Sequence, residues 1–260
     1  MKIGLLHLNL SLGSEAKNLK ILAQAIELAS KKGAKWLITP ETAVQGYYFY
    51  RQNPNSKIEP QPSAKLEQIQ TIVKQYQLTL FLGTSEYVKE QACNFNTCLV
   101  IGNNGEVIGR HRKLISHATG AEAWATRASC LEPISVSQQF KVGALVCADA
   151  WYPEHGKILR DKGAKFLVNI AAWPPTETCG NPLTAWQRCS LEAELPLILC
   201  NQTGENPWMN MTQAQSVVIE NGEVKLTHSG EEKILLFDWD FEKNCLISTA
   251  YEKIEFKYKG

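Results

Sequence analysis

Apolar runs and helical stripes alternate along this chain. Residues 2–10, KIGLLHLNL, form an apolar run broken only by His7 and Asn9, and they predict a buried strand. Ser14 then stands where a helix cap is needed. The helix it opens is expected to reach about Lys32, with Leu19, Leu22, Ala23, Ile26 and Ala29 on one face. Ala34–Ile38 is a second strand, ending at Pro40-Glu41. Residues 62–76 show helical periodicity again, and Leu78–Gly83 reads as a strand.

The pattern then changes. In 96-NTCLVIGNNGEVIGRHRK-113, Asn104-Gly105 sits between two apolar runs, a strong hairpin signal. The same device recurs at Asn221-Gly222 in 216-SVVIENGEVKLT-227. Strands at 141–147, 165–170 and 196–201 are separated by helices near 154–162 and 184–194, and 232–253 adds one or two more strands. Alternation mixed with hairpins implies mixed sheets. About a dozen strands with few helices are buried best by stacking two sheets and covering each outer face with helices. The expected fold is therefore α/β, a four-layer α-β-β-α sandwich with two mixed sheets, formed by residues 1–260 as a single domain.

Composition removes several function classes. The formal net charge is +1, with no block of like charges, so neither nucleic acid nor an anionic membrane is indicated as a partner. The first residues lack a small-residue cleavage site, and no apolar segment approaches the ~20 residues needed to cross a bilayer. The eight cysteines are irregularly spaced and contain no C-x-x-C, so they are expected to be reduced thiols in a cytoplasmic protein. The five histidines show no zinc-ligand spacing with them. No G-x-G-x-x-G or P-loop is present, so no nucleotide cofactor is expected, and no cofactor of any other kind.

Three chemically capable residues lie just past predicted strands: Glu41 in 37-LITPETAVQGYYF-49, Lys113 in 107-VIGRHRKLISH-117, and Cys147 in 143-GALVCADAWYPEHGK-157. Strand ends and their loops are where layered α/β folds gather their sites. A cysteine is a good nucleophile only as thiolate. A neighbouring lysine and the helix opening at Pro153 are both expected to lower the Cys147 pKa. A carboxylate can take the proton and later return it to a leaving group. The ammonium and backbone N–H groups after Cys147, that of Ala148 first, can stabilise an oxyanion. These parts suffice for covalent acyl transfer.

In that order the three blocks resemble the nitrilase, or carbon–nitrogen hydrolase, superfamily. The blocks are Pro40-Glu41 with Gly46-Tyr47, His111-Arg112-Lys113-Leu114, and Cys147-Ala148-Asp149 with Pro153-Glu154. The resemblance continues into 183-LTAWQRCSLEAELPLILCNQTG-204, through Trp186, Arg188, Glu192, Asn201 and Gly204. It implies a Glu41–Lys113–Cys147 triad and the same sandwich fold. It also implies a homodimer or larger homo-oligomer, and a second glutamate, Glu122, that positions the substrate and the lysine. Trp151-Tyr152 stands where many members have Arg-Phe, which leaves the substrate subclass open.

Each residue also has a plainer reading. Alone, Cys147 would be a buried structural thiol, Glu41 a cap, Lys113 a solvated charge and Glu122 a loop carboxylate; together the blocks outweigh this. Asp149 and Glu154 are expected to fix the turn by hydrogen bonds, and Asn201 to fix a loop. Tyr47, Trp124, Trp151 and Trp173 are candidate pocket walls, and Tyr48 and Trp208 are core or wall. The expected activity is hydrolysis of a small amide. A nitrile substrate through a thioimidate, an N-carbamoyl substrate and a non-catalytic binding module are the alternatives. A carbamoyl hydrolase usually holds a substrate carboxylate with a cation, and the sequence places none. A redox role for Cys147 lacks a resolving cysteine nearby in sequence, and a cysteine–histidine protease lacks an orienting partner for His111 or His117.

Overall fold

Most strands of this chain are apolar at consecutive positions, not only alternate ones, and such strands must be covered on both faces. The computed structural model, which describes residues 1–259, satisfies this with two stacked sheets. In chain order the strands are β1 (Lys2–His7), β2 (Ala34–Ile38), β3 (Thr79–Val88), β4 (Cys93–Ile101), β5 (Val107–Arg112), β6 (Ile134–Ser135), β7 (Lys141–Val146) and β8 (Ala164–Ala171). There follow β9 (Leu197–Asn201), β10 (Glu205–Asn206), β11 (Met209–Asn210), β12 (Ser216–Glu220), β13 (Glu223–His228), β14 (Lys233–Asp240), β15 (Cys245–Leu246) and β16 (Glu252–Glu255). The helices are α1 (Glu15–Lys31), α2 (Phe49–Gln52), α3 (Glu67–Tyr76), α4 (Pro153–Asp161) and α5 (Leu183–Ala193).

One sheet runs β15-β14-β1-β2-β3-β4-β5 with β16 on β14; the other runs β13-β12-β9-β8-β7-β6. Each has a parallel centre (β1-β2-β3 and β7-β8-β9) and antiparallel flanks, so both are mixed. The period of two assigns the faces. In β2 and β3, Trp36, Ile38 and Phe81 point to the space between the sheets, where they share a cluster with Val142, Phe166, Val168 and Ile198. The intervening Leu37, Leu80 and Leu82 join Leu22 and Ile26 of α1 and Ile69 and Val73 of α3. On the other side, Leu145 and Leu167 pack with Leu159 of α4 and Ala193 of α5. The sandwich is the expected one, α-β-β-α.

Boundaries differ in instructive places. Ser14 caps α1 as expected, its hydroxyl accepting from the Lys17 N–H at 3.3 Å. β1 stops at His7 because its partner β14 ends there; Leu8 and Asn9 bond instead to the Thr203 N–H and the Glu232 carboxylate. β3 runs on to Val88, since pairing with β4 from Leu80↔Ile101 to Val88↔Cys93 carries a polar stretch that alone does not read as strand. The 62–76 helix begins as a 3₁₀ turn at Ala64–Leu66 before becoming α-helical at Glu67.

Candidate active site

The strands that deliver chemistry end on the same side. Glu41 follows β2, Lys113 follows β5 and Cys147 follows β7; Ala172 follows β8 and Gln202 follows β9. Crossing hydrogen bonds tie these ends together. One Glu41 oxygen accepts from the Ala172 N–H at 2.9 Å, and the Glu41 carbonyl accepts from Gln202 Nε2 at 2.7 Å. The Lys113 N–H donates to the Asn96 carbonyl at 2.8 Å. Asp149 ties the lysine block to the cysteine block. Its carboxylate accepts from the N–H groups of Leu114 and Ile115 (3.0 Å each), the Val146 N–H (3.1 Å) and His111 Nε2 (2.8 Å). Burial would raise the Asp149 pKa, but these bonds and the nearby Lys113 charge hold it below the usual carboxylate range.

The charged centre is buried. The side chains of Lys113 and Glu41 are fully buried and that of Glu122 is 2% exposed. Lys113 Nζ donates to Glu41 Oε1 at 2.7 Å and to Glu122 Oε1 at 2.5 Å. Asn96 Nδ2 donates to the same two oxygens, at 2.7 and 2.9 Å. One ammonium and one amide thus hold two buried carboxylates together. The consequences for protonation differ. Burial pushes the Glu41 pKa up to about 7, with the Lys113 charge opposing and the Glu122 charge adding to the rise. Burial acts on Glu122 too, but the charge and hydrogen bond of Lys113 outweigh it and keep Glu122 below its usual value. Burial also works against the Lys113 charge; Cys147, Glu122 and Glu41 overcome it and hold the ammonium protonated.

Cys147 opens a 3₁₀ turn, Cys147–Trp151, between β7 and α4, with φ of +50°, a region costly for residues with a Cβ. Asn169 on β8 holds it there: its Oδ1 accepts from the Cys147 N–H at 2.7 Å and its Nδ2 donates to the Cys147 carbonyl at 3.2 Å. That bond occupies the Cys147 N–H. Ala148 lines the cavity beside the thiol, and its N–H belongs to the opening of the turn, where donors lack an intrahelical carbonyl. The expectation of a depressed thiol pKa is overturned. Burial raises it well above the ordinary cysteine value and the neighbouring Glu41 adds to this, with Lys113 opposing. The turn also separates Cys147 from the start of α4.

A cavity of about 500 Å³ opens above this centre. Lys113, Glu122, Cys147 and Ala148 line it together with Tyr47, Tyr48, Trp151, Trp173 and Trp208. Trp173 lies 5.6 Å from Trp151 and 5.9 Å from the buried Trp186, centroid to centroid. Asn201 fixes its backbone from both sides, accepting from the Trp173 N–H at 2.9 Å and donating to its carbonyl at 3.0 Å. Arg188 donates to the Trp151 carbonyl at 2.8 Å, whereas Glu192 pairs with Lys157 on the surface. Trp124 is a correction: it does not line the cavity. Its ring packs on Phe49 at 5.1 Å and its Nε1 donates to the Ala121 carbonyl, behind the segment that carries Glu122.

Sequence reading missed Asn96 and Gly83. Asn96 is a fully buried amide inside a strand, and asparagine is depleted from strands; that mismatch was the available signal. Gly83 lets β3 pass beneath the Glu41 loop. A Cβ there would stand 2.1 Å from the Pro40 carbonyl oxygen and 2.8 Å from the Thr42 N. Gly83→Ala is therefore expected to displace Glu41, costing about 1–3 kcal/mol of stability, as overpacking does. Turnover should fall at least about 10-fold, since small misplacements of a reacting group are costly. Urea unfolding combined with steady-state kinetics checks this; wild-type turnover in the variant would show that the loop adjusts without moving Glu41.

The family profile described as "Carbon-nitrogen hydrolase" matches residues 2–242. The chain belongs to the carbon–nitrogen hydrolase family. Among curated members it is 29% identical over 163 residues to a citrullinase of Francisella tularensis, covering 60% of this chain and 56% of that protein. It is 24% identical over 248 residues to the 2-oxoglutaramate amidase of Bacillus subtilis, covering 94% of this chain and 92% of that one. The chain spans about half the length of the first curated relatives it matches, 56% in the citrullinase and 43% in another. Among solved structures, Nit3 of Saccharomyces cerevisiae, a member of the nitrilase superfamily, superposes with a TM-score of 0.81 at 20% identity, covering 93% of this chain and 90% of that one. That likeness shows the carbon–nitrogen hydrolase fold.

Proposed function

We propose that this carbon–nitrogen hydrolase is an amidase. Cys147 is its nucleophile, Glu41 its general base and acid, Lys113 and the Ala148 N–H its oxyanion donors, and Glu122 the group that orients the substrate amide and Lys113. The observation that carries this reading is the buried Lys113 bridging Glu41 and Glu122 in the floor of a cavity that Cys147 also lines. A thiol held neutral at rest, beside a carboxylate whose pKa lies near 7, supports proton transfer coupled to attack, not a standing thiolate. One relative that matches along nearly its whole length bears the name amidase.

The steps follow from these states. Glu41 takes the Cys147 proton as Sγ bonds to the amide carbon, and the carbonyl electron pair moves onto oxygen. Lys113 and the Ala148 N–H hold that oxyanion. The intermediate collapses, the carbon–nitrogen bond breaks, and Glu41 gives its proton to the departing nitrogen. A thioester remains on Cys147. Water then attacks the acyl carbon while Glu41 takes its proton; collapse releases the acid, and Glu41 returns the proton to sulfur. Ammonia release from matched amides, nitriles and carbamoyl compounds, with intact-mass detection of an acyl adduct on Cys147, tests this. Turnover of nitriles alone would sink the amide reading.

The base must be ionised to act, so log kcat/KM is expected to rise with unit slope at pH below about 7 and to level off above it. No fall is expected until well into the alkaline range, because both the thiol and the ammonium are held protonated there. A pH–rate profile over 5 to 9 reads this directly, and a flat acid limb would remove Glu41 from the role of base.

A further inference from the structure

Of the charged side chains lining the cavity, Lys113 and Glu122 bond to each other in its floor, and Arg51 stands apart from them. The exposed Arg51 is carried by the short α2. Every other arginine has a partner: Arg110 and Arg112 bond to Glu86, Arg127 to the Ser116 carbonyl, Arg160 to Asp161, and Arg188 to the Trp151 carbonyl. Among the described residues Arg51 has neither a carboxylate within 4 Å nor a hydrogen bond from its guanidinium. Its guanidinium carbon lies 5.2 Å from the centre of the Trp208 ring. Trp208 is itself held, its ring 4.9 Å from that of Tyr48 and its backbone N–H donating to Asn206 Oδ1 at 2.9 Å. An aromatic face restrains a guanidinium while leaving its N–H edges free, and those edges match the two oxygens of a carboxylate.

We propose that the substrate carries a carboxylate at the end remote from its scissile carbon–nitrogen bond, and that Arg51 receives it. This rests on the amidase reading and adds to it a substrate class: monoamides of short dicarboxylic acids and their close analogues. Charge placement gives the orientation. Two carboxylates share one ammonium in the floor, so a substrate carboxylate is repelled there and attracted to the unpaired cation. The amide end therefore enters towards Cys147.

The test compares a monoamide of a five-carbon dicarboxylic acid with the neutral amide in which methyl replaces the carboxylate. The wild type should favour the acid amide about 10- to 100-fold in kcat/KM, as expected for a charge-assisted bidentate contact. Arg51→Gln should bring that ratio close to one, chiefly through KM, and Arg51→Lys should restore part of it. Because Arg51 is exposed, 0.5 M salt should shrink the wild-type ratio. Equal use of both amides by the wild type, or a ratio that survives Arg51→Gln, overturns the inference. Binding is measured separately, by titrating both amides into Cys147→Ala with and without Arg51→Gln. Should the wild type hydrolyse neither amide, the amidase reading fails while this binding arm still decides. Tighter binding of the acid amide that depends on Arg51 supports the inference, and indifferent binding ends it.

Discussion

On the proposed mechanism, Cys147→Ala is expected to lower kcat for the best amide by at least about 10⁴-fold, because a nucleophile acts as a unit with its base and its loss disables the unit. The fold should persist. Alanine is smaller than cysteine, so it meets no new clash, and the Asn169 clamp on the backbone N–H and carbonyl of residue 147 does not involve the side chain. Thermal unfolding should therefore move by only a few degrees, equivalent to the ~1 kcal/mol of a small core truncation. Intact mass closes the argument: the wild type quenched during turnover should carry the acyl group, and the variant should carry none. Substantial turnover by the folded variant would transfer the nucleophilic role to water or to another residue.

That prediction depends on residues that sequence made visible for a physical reason. Glu41, Lys113 and Cys147 each sit where a predicted strand runs out, so their type and position could be read together. The sandwich was legible for a similar reason, since near-continuous apolar strands and two Asn-Gly turns leave few ways to bury every face. What sequence hid was set by tertiary contact. The protonation of Cys147 depends on burial and on a carboxylate more than a hundred positions away in the chain, so local features such as a nearby helix start pointed the wrong way. Trp124 resembled a wall residue by its position, yet Phe49 and Ile58 enclose it. Arg51 lies on a helix of only four residues, too short to give a periodic signal. Asn96 interrupts an otherwise ordinary strand, and only its bonds to two carboxylates explain it.

Lys113→Met should be the most damaging change to stability, and it should also lower activity. The ammonium is the cation bonded to Glu41 and Glu122, and its charge opposes the raised pKa of the first and depresses the second. Without it, two carboxylates face one another in a buried site with only the Asn96 amide, the Ala172 N–H and the His117 N–H to hold them. Leaving a buried charge uncompensated costs about 3–5 kcal/mol. The site can escape by taking up protons, which makes the deficit depend on pH with a definite sign. Both folded-state pKa values rise above their unfolded values, so the stability they contribute is complete at pH below the unfolded value and is lost as pH climbs through the raised ones. Relative to wild type, the variant should be close in stability near pH 5 and weakest near pH 8, as measured by urea unfolding at each pH. Adding Glu122→Gln should recover part of the loss at pH 8 by removing one of the two charges. Turnover should stay at least about 10³-fold down in both variants, because the proposed oxyanion donor is gone and Glu41 is harder to ionise. A deficit of equal size at pH 5 and pH 8 would mean that Lys113 supports the fold by packing, and that its charge is not what keeps the two carboxylates together.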